Sequence, residues 1–324
     1  GENIIYITDN LSITPGFRVE YINTKKDETI IDIGTDGAGN VIRRDEKLEK
    51  DTKERTFALL GVGMSYKPSK SIEFYGNVSQ NYRSVTFADI SIANPAFQIA
   101  DNITDEKGFT TDVGVRGNYQ SYFSFDFSAF GLFYNDRISI YNPTGGKPLR
   151  DNIGDARILG LEAIVDINLK KTLRLPNSYS FNYFVNASYL NSEYTSSKAQ
   201  NVAGNSVEFV PELNLKSGVQ FGYQNVMSSV QYTYLSQQFS DATNSVIADT
   251  SPSIGRISGV IGEIPAYHVV DMSLSYTYNN FKLESGINNV FSESYFTRRA
   301  TGYPGPGIIP SAPRNYYLTL EMKF

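Results

Sequence analysis

The chain has 324 residues, a net charge of -5, no cysteine and a single histidine, His268. The absence of cysteine excludes disulfides and cysteine-based metal sites, and one histidine leaves little material for histidine-dependent catalysis. The acidic balance without a basic patch argues against nucleic-acid binding. No apolar run approaches the roughly 18 residues of a transmembrane helix, but a transmembrane β-barrel escapes that test because its strands are half polar.

Period-two alternation of apolar and polar residues recurs along the chain and predicts an all-β protein. It is clearest in the last strand, where Tyr316, Leu318, Leu320, Met322 and Phe324 share one face. Several runs reach the ~9–11 residues that cross a bilayer at a tilt, whereas globular strands average ~5–6. The predicted strands are about 1–8, 12–24, 54–67, 71–83, 109–119, 121–141, 155–169, 178–194, 207–223, 227–240, 265–278, 281–292 and 314–324.

Short and long connections largely alternate between these strands. Short polar turns are predicted near 68–70, 118–120, 224–225 and 279–280, with a turn of intermediate length at 170–178. The alternation is typical of an outer-membrane barrel, with short periplasmic turns and long extracellular loops. The predicted long extracellular loops are about 25–53, 84–108, 143–154, 195–206, 241–264 and 297–313.

The strand count predicts that more than this chain is needed to close a barrel. About thirteen strands are predicted, the first of them truncated, whereas bacterial single-chain barrels use an even number. An open sheet in lipid would leave unpaired backbone groups at its edges, each costing several kcal/mol. We therefore expect the chain 1–324 to be one part of a transmembrane antiparallel β-barrel.

The C-terminal region resembles TonB-dependent outer-membrane receptors. The run INNVFSESYF at 287–296 resembles the penultimate-strand motif of that family, in which an Asn-(Leu/Val)-Phe turn precedes an aromatic pair. The terminal Phe324 resembles the aromatic residue that barrel-assembly machinery recognises. Together with the segments 11–20, 75–83 and 152–162, the loop TGYPGPGIIP at 301–310 looks most like the ferric-dicitrate branch of ferric siderophore receptors.

The resemblance implies a barrel of about twenty-two strands around an N-terminal plug, of which this chain supplies the C-terminal 12–13 strands without the plug. The implied function is TonB-dependent import of a ferric siderophore across the bacterial outer membrane, without enzyme activity. The implied partners are the TonB–ExbB–ExbD complex acting through the plug, the remaining barrel polypeptide, outer-membrane lipid and lipopolysaccharide. No cofactor is implied, because iron enters only as part of the transported chelate.

An anionic chelate would call for arginines and polar side chains at the extracellular rim, because guanidinium groups bind carboxylates in bidentate fashion. The same arginines could instead be solvated, or pair with loop carboxylates or lipopolysaccharide. No catalytic or metal-binding residue is predicted. The candidate ligand-binding residues are Arg83, Arg150, Arg157, Gln237, Gln238, Arg256, Arg298, Arg299 and Arg314.

Three other interpretations stay open or are set aside at this point. The mixed charges of 25–53 favour a solvated, mobile loop, and its 32–40 run lacks the spacing of a calcium loop. A receptor of the same family for a cobalamin, an oligosaccharide or a peptide remains possible. A self-contained barrel of about twelve strands, acting as a passive porin or an outer-membrane enzyme, is the alternative from another class.

Overall fold

The computed structural model describes residues 1–90, 98–141, 149–246, 259, 261–300 and 307–323. These residues form antiparallel strands almost throughout, with two short helices, α1 (Phe87–Ile90) and α2 (Leu169–Thr172). The strands are β1 (Ile5–Thr8), β2 (Leu11–Thr35), β3 (Val41–Ser69), β4 (Ile72–Arg83), β5 (Gln98–Ile99), β6 (Glu106–Tyr119), β7 (Phe123–Tyr141), β8 (Leu149–Asn168), β9 (Tyr179–Tyr194), β10 (Leu213–Tyr223), β11 (Val226–Leu235), β12 (Gln238–Phe239), β13 (Glu263–Ile264), β14 (Tyr267–Tyr278), β15 (Phe281–Asn288), β16 (Phe296–Ala300), β17 (Gly307–Pro310) and β18 (Asn315–Met322).

The main sheet contains 14 strands, of which β5 pairs only with β8 and the other thirteen follow one another in chain order from β1 to β18. Every neighbouring pair on this path is antiparallel, and the described residues show no pairing between β1 and β18. The pairs β12–β13 and β16–β17 form two small separate sheets. The all-β antiparallel prediction is confirmed, and the open sheet fits a part of a barrel wall.

One face of the main sheet is apolar and exposed across its whole width. Directly opposed residues such as Val62 and Val78, or Leu283 and Leu320, continue the apolar rows from strand to strand. In β18, Leu318 has 72% of its surface exposed, which is unfavourable against water,. We call this surface, which also carries Phe17, Leu161, Val219 and Leu274, the apolar face. It is the pattern that a lipid-facing barrel wall requires.

The opposite surface, the polar face, carries hydrogen-bonded side chains. The Tyr75 hydroxyl donates to Asp126 at 2.6 Å, and Ser229 and Ser273 share a bond of 2.7 Å across neighbouring strands. In the part of the chain that the structure describes, no helix is long and apolar enough to cross a membrane. The strands therefore separate a polar side from an apolar side.

The segment 25–53, predicted to be a solvated, mobile loop, is the upper part of a long hairpin. The β2–β3 ladder continues to Thr35 and Val41, and a turn at 36–40 closes it. In this turn the Asp36 carboxylate accepts hydrogen bonds from the amides of Ala38 and Asn40. Extended, paired backbone with ion pairs between the two strands is observed where a mobile loop was expected. We call residues 25–53 the upper hairpin.

The short connections agree with the predicted turns. Two residues join β10 to β11 and β14 to β15, and Gln224 and Asn279 adopt φ values of 51° and 50° there. Positive φ at this position suits tight hairpin turns whose twist matches the flanking strands. The turn at 170–178 contains α2, capped by the Asn168 side chain, which accepts from the Lys171 amide. These connections all lie at one end of the sheet, which we call the short-turn end.

The long connections gather at the other end, which we call the rim, and two of them build small apolar cores. Residues 84–105, which we call the strap, bury Val85, Ile90 and Ile103 against Ile138 of β7. A second cluster joins the upper ends of β8 and β9 to the connections after β9 and β12. We call it the loop core, and its buried members are Ile153, Ala156, Ile158, Tyr194, Ala199, Val202, Val207 and Ala242.

Candidate functional site

The predicted ligand-binding residues that the structure describes lie at the rim, but in different environments. Arg83 ends β4 and binds two carboxylates, Asp89 at 2.9 Å and Glu106 at 2.9 Å. The buried Glu106 also accepts the Ile138 amide of β7 at 2.9 Å. Arg83 therefore links the strap to the main sheet, and its charge is already paired.

A second arginine, which the sequence analysis did not single out, fixes the strap to the hairpin. Arg55 of β3 forms a bidentate pair with Asp105 at 2.8 and 2.9 Å and donates to the Val85 carbonyl at 2.9 Å. Tyr82 also donates to Asp105. Burial alone would raise the pKa of the Asp105 carboxyl, but hydrogen bonds from Tyr82, the Val85 amide and Arg55 lower it overall,.

A cleft of about 590 Å³ lies between the upper hairpin and the strap. Its walls include Lys26, Lys47 and Lys53 from the hairpin and Ile99 and Ile103 from the strap. Lys26 and Lys47 both bind Glu49, at 2.5 Å each. Because its lysines are largely neutralised, the cleft has no clear preference for an anion.

Arg157 lies on the apolar face rather than the polar face. It stands opposite Phe133 of β7 and Glu193 of β9, and it binds the Glu193 carboxylate at 3.1 Å. Alternation along β8 puts it on the same side as Leu159 and Leu161. This parity could have been read from the sequence, since all three residues have odd numbers in one strand. Arg150 lies at the start of β8, where its carbonyl accepts the Ala100 amide of the strap at 2.9 Å.

Below the loop core lies a buried polar cluster that the sequence analysis also missed. Glu208 accepts from the Tyr194 hydroxyl at 2.6 Å, from Ser139 at 2.9 Å and from Arg137 at 3.2 Å. A bulge in the β7–β8 ladder between Tyr134 and Arg137 shifts the register there. The cluster joins distant segments, so no local sequence pattern could reveal it.

The Arg299 side chain donates its hydrogen bonds to backbone carbonyls at the rim. Its guanidinium donates to the Glu263 carbonyl at 2.6 and 3.1 Å and to the Gly259 carbonyl at 2.9 Å, and it stacks over Phe296. Burial lowers the pKa of this guanidinium, against the opposing influence of the Glu263 and Asp241 carboxylates. Arg299 thus clamps the connection before β14 to β16.

The remaining candidate ligand-binding residues differ in how exposed their side chains are. Gln238 is buried in β12 opposite Ile264, whereas Gln237 beside it is exposed. Arg298 and Arg314 are exposed, and within the described ranges neither forms an ion pair. The candidate residue Arg256 lies outside the described residues.

The rim therefore has exposed arginines that a ligand could reach, while other arginines hold the loops in place. Within the described part of the chain, no group of three or more His, Cys, Asp or Glu side chains could hold a metal ion. Of the candidate residues that the structure describes, Arg298, Arg314 and Gln237 are exposed.

Comparison with known proteins gives a consistent result. The family model for the TonB dependent receptor-like β-barrel matches residues 1–290. Among solved structures, the ferric citrate transporter FecA in its unliganded form has a TM-score of 0.73 at 22% identity, covering 97% of this chain and 43% of that chain. The copper transporter OprC has a TM-score of 0.73 at 16% identity, covering 99% and 46%.

The siderophore receptor PiuA from Acinetobacter baumannii has a TM-score of 0.71 at 16% identity, covering 100% of this chain and 42% of that chain. At such identities these structures support the fold. The chain spans less than half the length of each of the three solved proteins.

Proposed function

Because this chain belongs to the TonB-dependent receptor β-barrel family, we propose that it forms barrel wall and extracellular binding rim in a receptor that imports a ferric siderophore. A ferric-dicitrate-like chelate is the substrate class we propose. The family is one of outer-membrane transport receptors rather than enzymes. The receptor would thus act in the bacterial outer membrane and would break no covalent bond of its cargo.

The observation that carries this proposal is the two-faced sheet. Thirteen strands of the main sheet present one largely apolar face and one polar face, which suits a wall between lipid and an aqueous lumen,. The likeness to the ferric citrate transporter covers 97% of this chain, and several other similar structures are siderophore receptors. These likenesses support iron uptake ahead of other cargoes.

In the proposed mechanism the rim captures the chelate and a plug inside the barrel completes the site. The TonB–ExbB–ExbD complex then acts on the plug to open a path through the lumen. The rest of the barrel polypeptide closes the sheet beyond β1 and β18. Iron is cargo bound within the chelate, and the chain needs no cofactor for this role.

At the rim, Arg298, Arg314 and Gln237 are the described residues best placed for ligand contact, because they are exposed. Guanidinium groups would bind the carboxylates of a citrate-type chelate through charge-assisted hydrogen bonds. Arg83, Arg150, Arg299 and Gln238 would act indirectly, by holding the strap and the last two rim connections in position. Arg256 stays a candidate for direct contact.

A family receptor for another substrate is the second candidate function. The observation that favours it is the similarity to a copper transporter, whose TM-score equals that of the ferric citrate transporter. A cobalamin, oligosaccharide or peptide receptor would share the same wall. A self-contained passive porin is disfavoured, since the described strands form an open sheet whose edges would be unpaired in lipid.

Binding of ferric citrate to the complete receptor tests the proposed substrate class. We expect Arg298→Gln combined with Arg314→Gln to weaken binding by at least about 100-fold, since each charge-assisted contact contributes about 1.5–3 kcal/mol. Arg174→Gln at the short-turn end is the matched control and should leave affinity unchanged. Wild-type receptor that fails to bind ferric citrate, yet binds another chelate, would contradict the substrate class.

A further inference from the structure

Two cations, Lys107 and Arg157, lie on the apolar face at its rim end. Arg157 stands opposite Phe133 in the β7–β8 ladder, and Phe133 stands opposite Phe109 in the β6–β7 ladder. Lys107 lies two residues from Phe109 in β6 and therefore shares its face. Both side chains thus point to the side that the family places against lipid.

Their height along the strands puts both cations at the edge of the hydrocarbon layer. From the short-turn end, Arg157 lies about eleven residues along β8 from Asn168, and Lys107 lies about twelve along β6 from Tyr119,. A tilted strand crosses the hydrocarbon in about 9–11 residues. Lys107 and Arg157 are therefore at the level of the outer headgroups.

The hydrogen-bonding capacity of Arg157 is only partly used. One terminal nitrogen binds Glu193 at 3.1 Å, while the buried Nε has no hydrogen-bond partner in the structure. The side chain as a whole is 42% exposed, so its outer nitrogens can reach a further acceptor. The guanidinium therefore keeps donors on its outer nitrogens for an additional anion.

Lys107 is exposed, and it forms no ion pair within the residues that the structure describes. Only β7 separates β6 from β8, so the two backbones are about 10 Å apart. Long side chains on both strands can therefore converge on one group between them. At this position β7 presents Asn135 and Phe133, which are opposite Lys107 and Arg157 respectively.

An apolar surface lies beside Arg157 and, along β6, two residues below Lys107. The rings of Phe109 and Phe133 stack with centroids 4.4 Å apart, and Phe109 is 43% exposed. Leu159 continues this surface toward the middle of the sheet. A hydrocarbon chain can lie along these residues while its anionic headgroup stays at the level of Lys107 and Arg157.

We propose that Lys107 and Arg157, at the rim end of the Phe109–Phe133 pair, form a binding site for a lipid with an anionic phosphate headgroup. The amphiphile fits because charge and hydrocarbon surface are arranged in the same order on the protein and on the lipid. Arg157 is thereby assigned to lipid contact on the outside of the wall. The inference rests on the proposed membrane placement of the barrel, and it does not depend on the identity of the transported chelate.

Native mass spectrometry of the complete receptor tests the site, with phosphatidylglycerol as the anionic probe and phosphatidylcholine as the zwitterionic one. We expect Lys107→Gln combined with Arg157→Gln to weaken phosphatidylglycerol binding by about tenfold or more, which is a loss of ~1.4 kcal/mol. Binding of phosphatidylcholine should change little. Heat-modifiable migration on gels would confirm that the variant barrel is folded.

The matched control is Lys25→Gln combined with Arg174→Gln, which removes the same charges from exposed positions away from this site. We expect this control to bind phosphatidylglycerol like the wild type. Equal retention of phosphatidylglycerol by the Lys107/Arg157 variant and the wild type would overturn the inference. Ferric citrate binding by the wild type in the same preparations tests the proposed substrate separately, so the two failures are distinguishable.

Discussion

The upper hairpin and the loop core lie at the same end of the sheet and are stabilised in opposite ways. The hairpin relies on a long backbone ladder and on charge pairs, while Ile33 and Leu48 remain 53% and 61% exposed. The loop core has no ladder of that length, but Tyr194, Val202 and Val207 are fully buried. One region therefore depends on local pairing, and the other on apolar packing between distant segments.

This difference predicts in which region mutations should have the larger effect on stability. In the loop core, the Glu208–Arg137 pair is largely buried, so solvent is poorly placed to replace a lost partner,. In the upper hairpin, the Asp27–Lys50 pair is about two thirds exposed on both sides and is screened by salt,. Substitutions in the loop core should therefore be strongly destabilising, whereas substitutions on the surface of the hairpin should be tolerated.

The largest effect is expected at Glu208. Glu208→Ala leaves Arg137 and the Tyr194 hydroxyl buried without their carboxylate, which should destabilise the loop core by about 3–5 kcal/mol. Hydrogen exchange of the amides at 194–210 would measure this loss. Glu212→Ala, at an exposed glutamate that binds only Tyr189, is the control and should cost less than about 1 kcal/mol,. Equal exchange rates in the two variants would show that the loop core does not depend on the buried pair.

The next effect is expected where the strap meets the hairpin. Arg55→Gln removes the bidentate contact to Asp105 and should loosen the strap by about 2 kcal/mol, while the β2–β3 ladder stays paired. Limited proteolysis within 84–105 reports on this change. Arg43→Gln, at an arginine that is paired with Asp45 on the exposed surface of the upper hairpin, should leave the cleavage rate unchanged. Protection of the strap in Arg55→Gln would mean that the apolar contacts of Ile90 and Ile103 suffice.

The pH dependence of the strap follows from the lowered pKa of Asp105. A carboxyl whose pKa is lower in the folded state stabilises fully above its ordinary value of 3.8, and this stabilisation is lost as the pH falls below it,. We expect strap exchange to rise in acid below about pH 4. Asp105→Asn should exchange faster at neutral pH and show a weaker acid response. A strap that loosens equally in both proteins would assign the acid response to other groups.

The smallest effect is expected on the surface of the upper hairpin. Lys50→Gln removes the exposed pair with Asp27 and should change stability by no more than about 0.5 kcal/mol. Raising the salt concentration should reduce even this difference, because exposed pairs are screened. Thermal unfolding at low and high salt provides the measurement. A loss above 1 kcal/mol would place this pair in the same class as the buried cluster.

The sequence predicted the regular wall well, because alternation and turn chemistry are local signals. The strand predicted at 265–278 is observed at Tyr267–Tyr278, and the turn at 279–280 is present. The upper hairpin was mispredicted because its charges were treated as evidence of solvation. Its ladder satisfies the backbone regardless of which side chains it carries.

The rim was predictable only in part, for a physical reason. The loop core forms when residues such as Val202 and Ala242 meet across separate connections, and neither lies in a periodic pattern. The partners of Arg83 and Arg299 likewise depend on how the loops fold back. In contrast, the face of Arg157 was available from its parity with Leu161, because alternation within a strand is strict.

Uptake of radioactive ferric citrate by cells that produce the complete receptor tests the central claim most directly. The measurement compares cells with TonB and cells without it, at equal receptor levels in the outer membrane. The proposed function predicts saturable accumulation of iron that requires both the receptor and TonB. Accumulation that persists at the same rate without TonB would contradict an energised receptor and would favour a passive barrel.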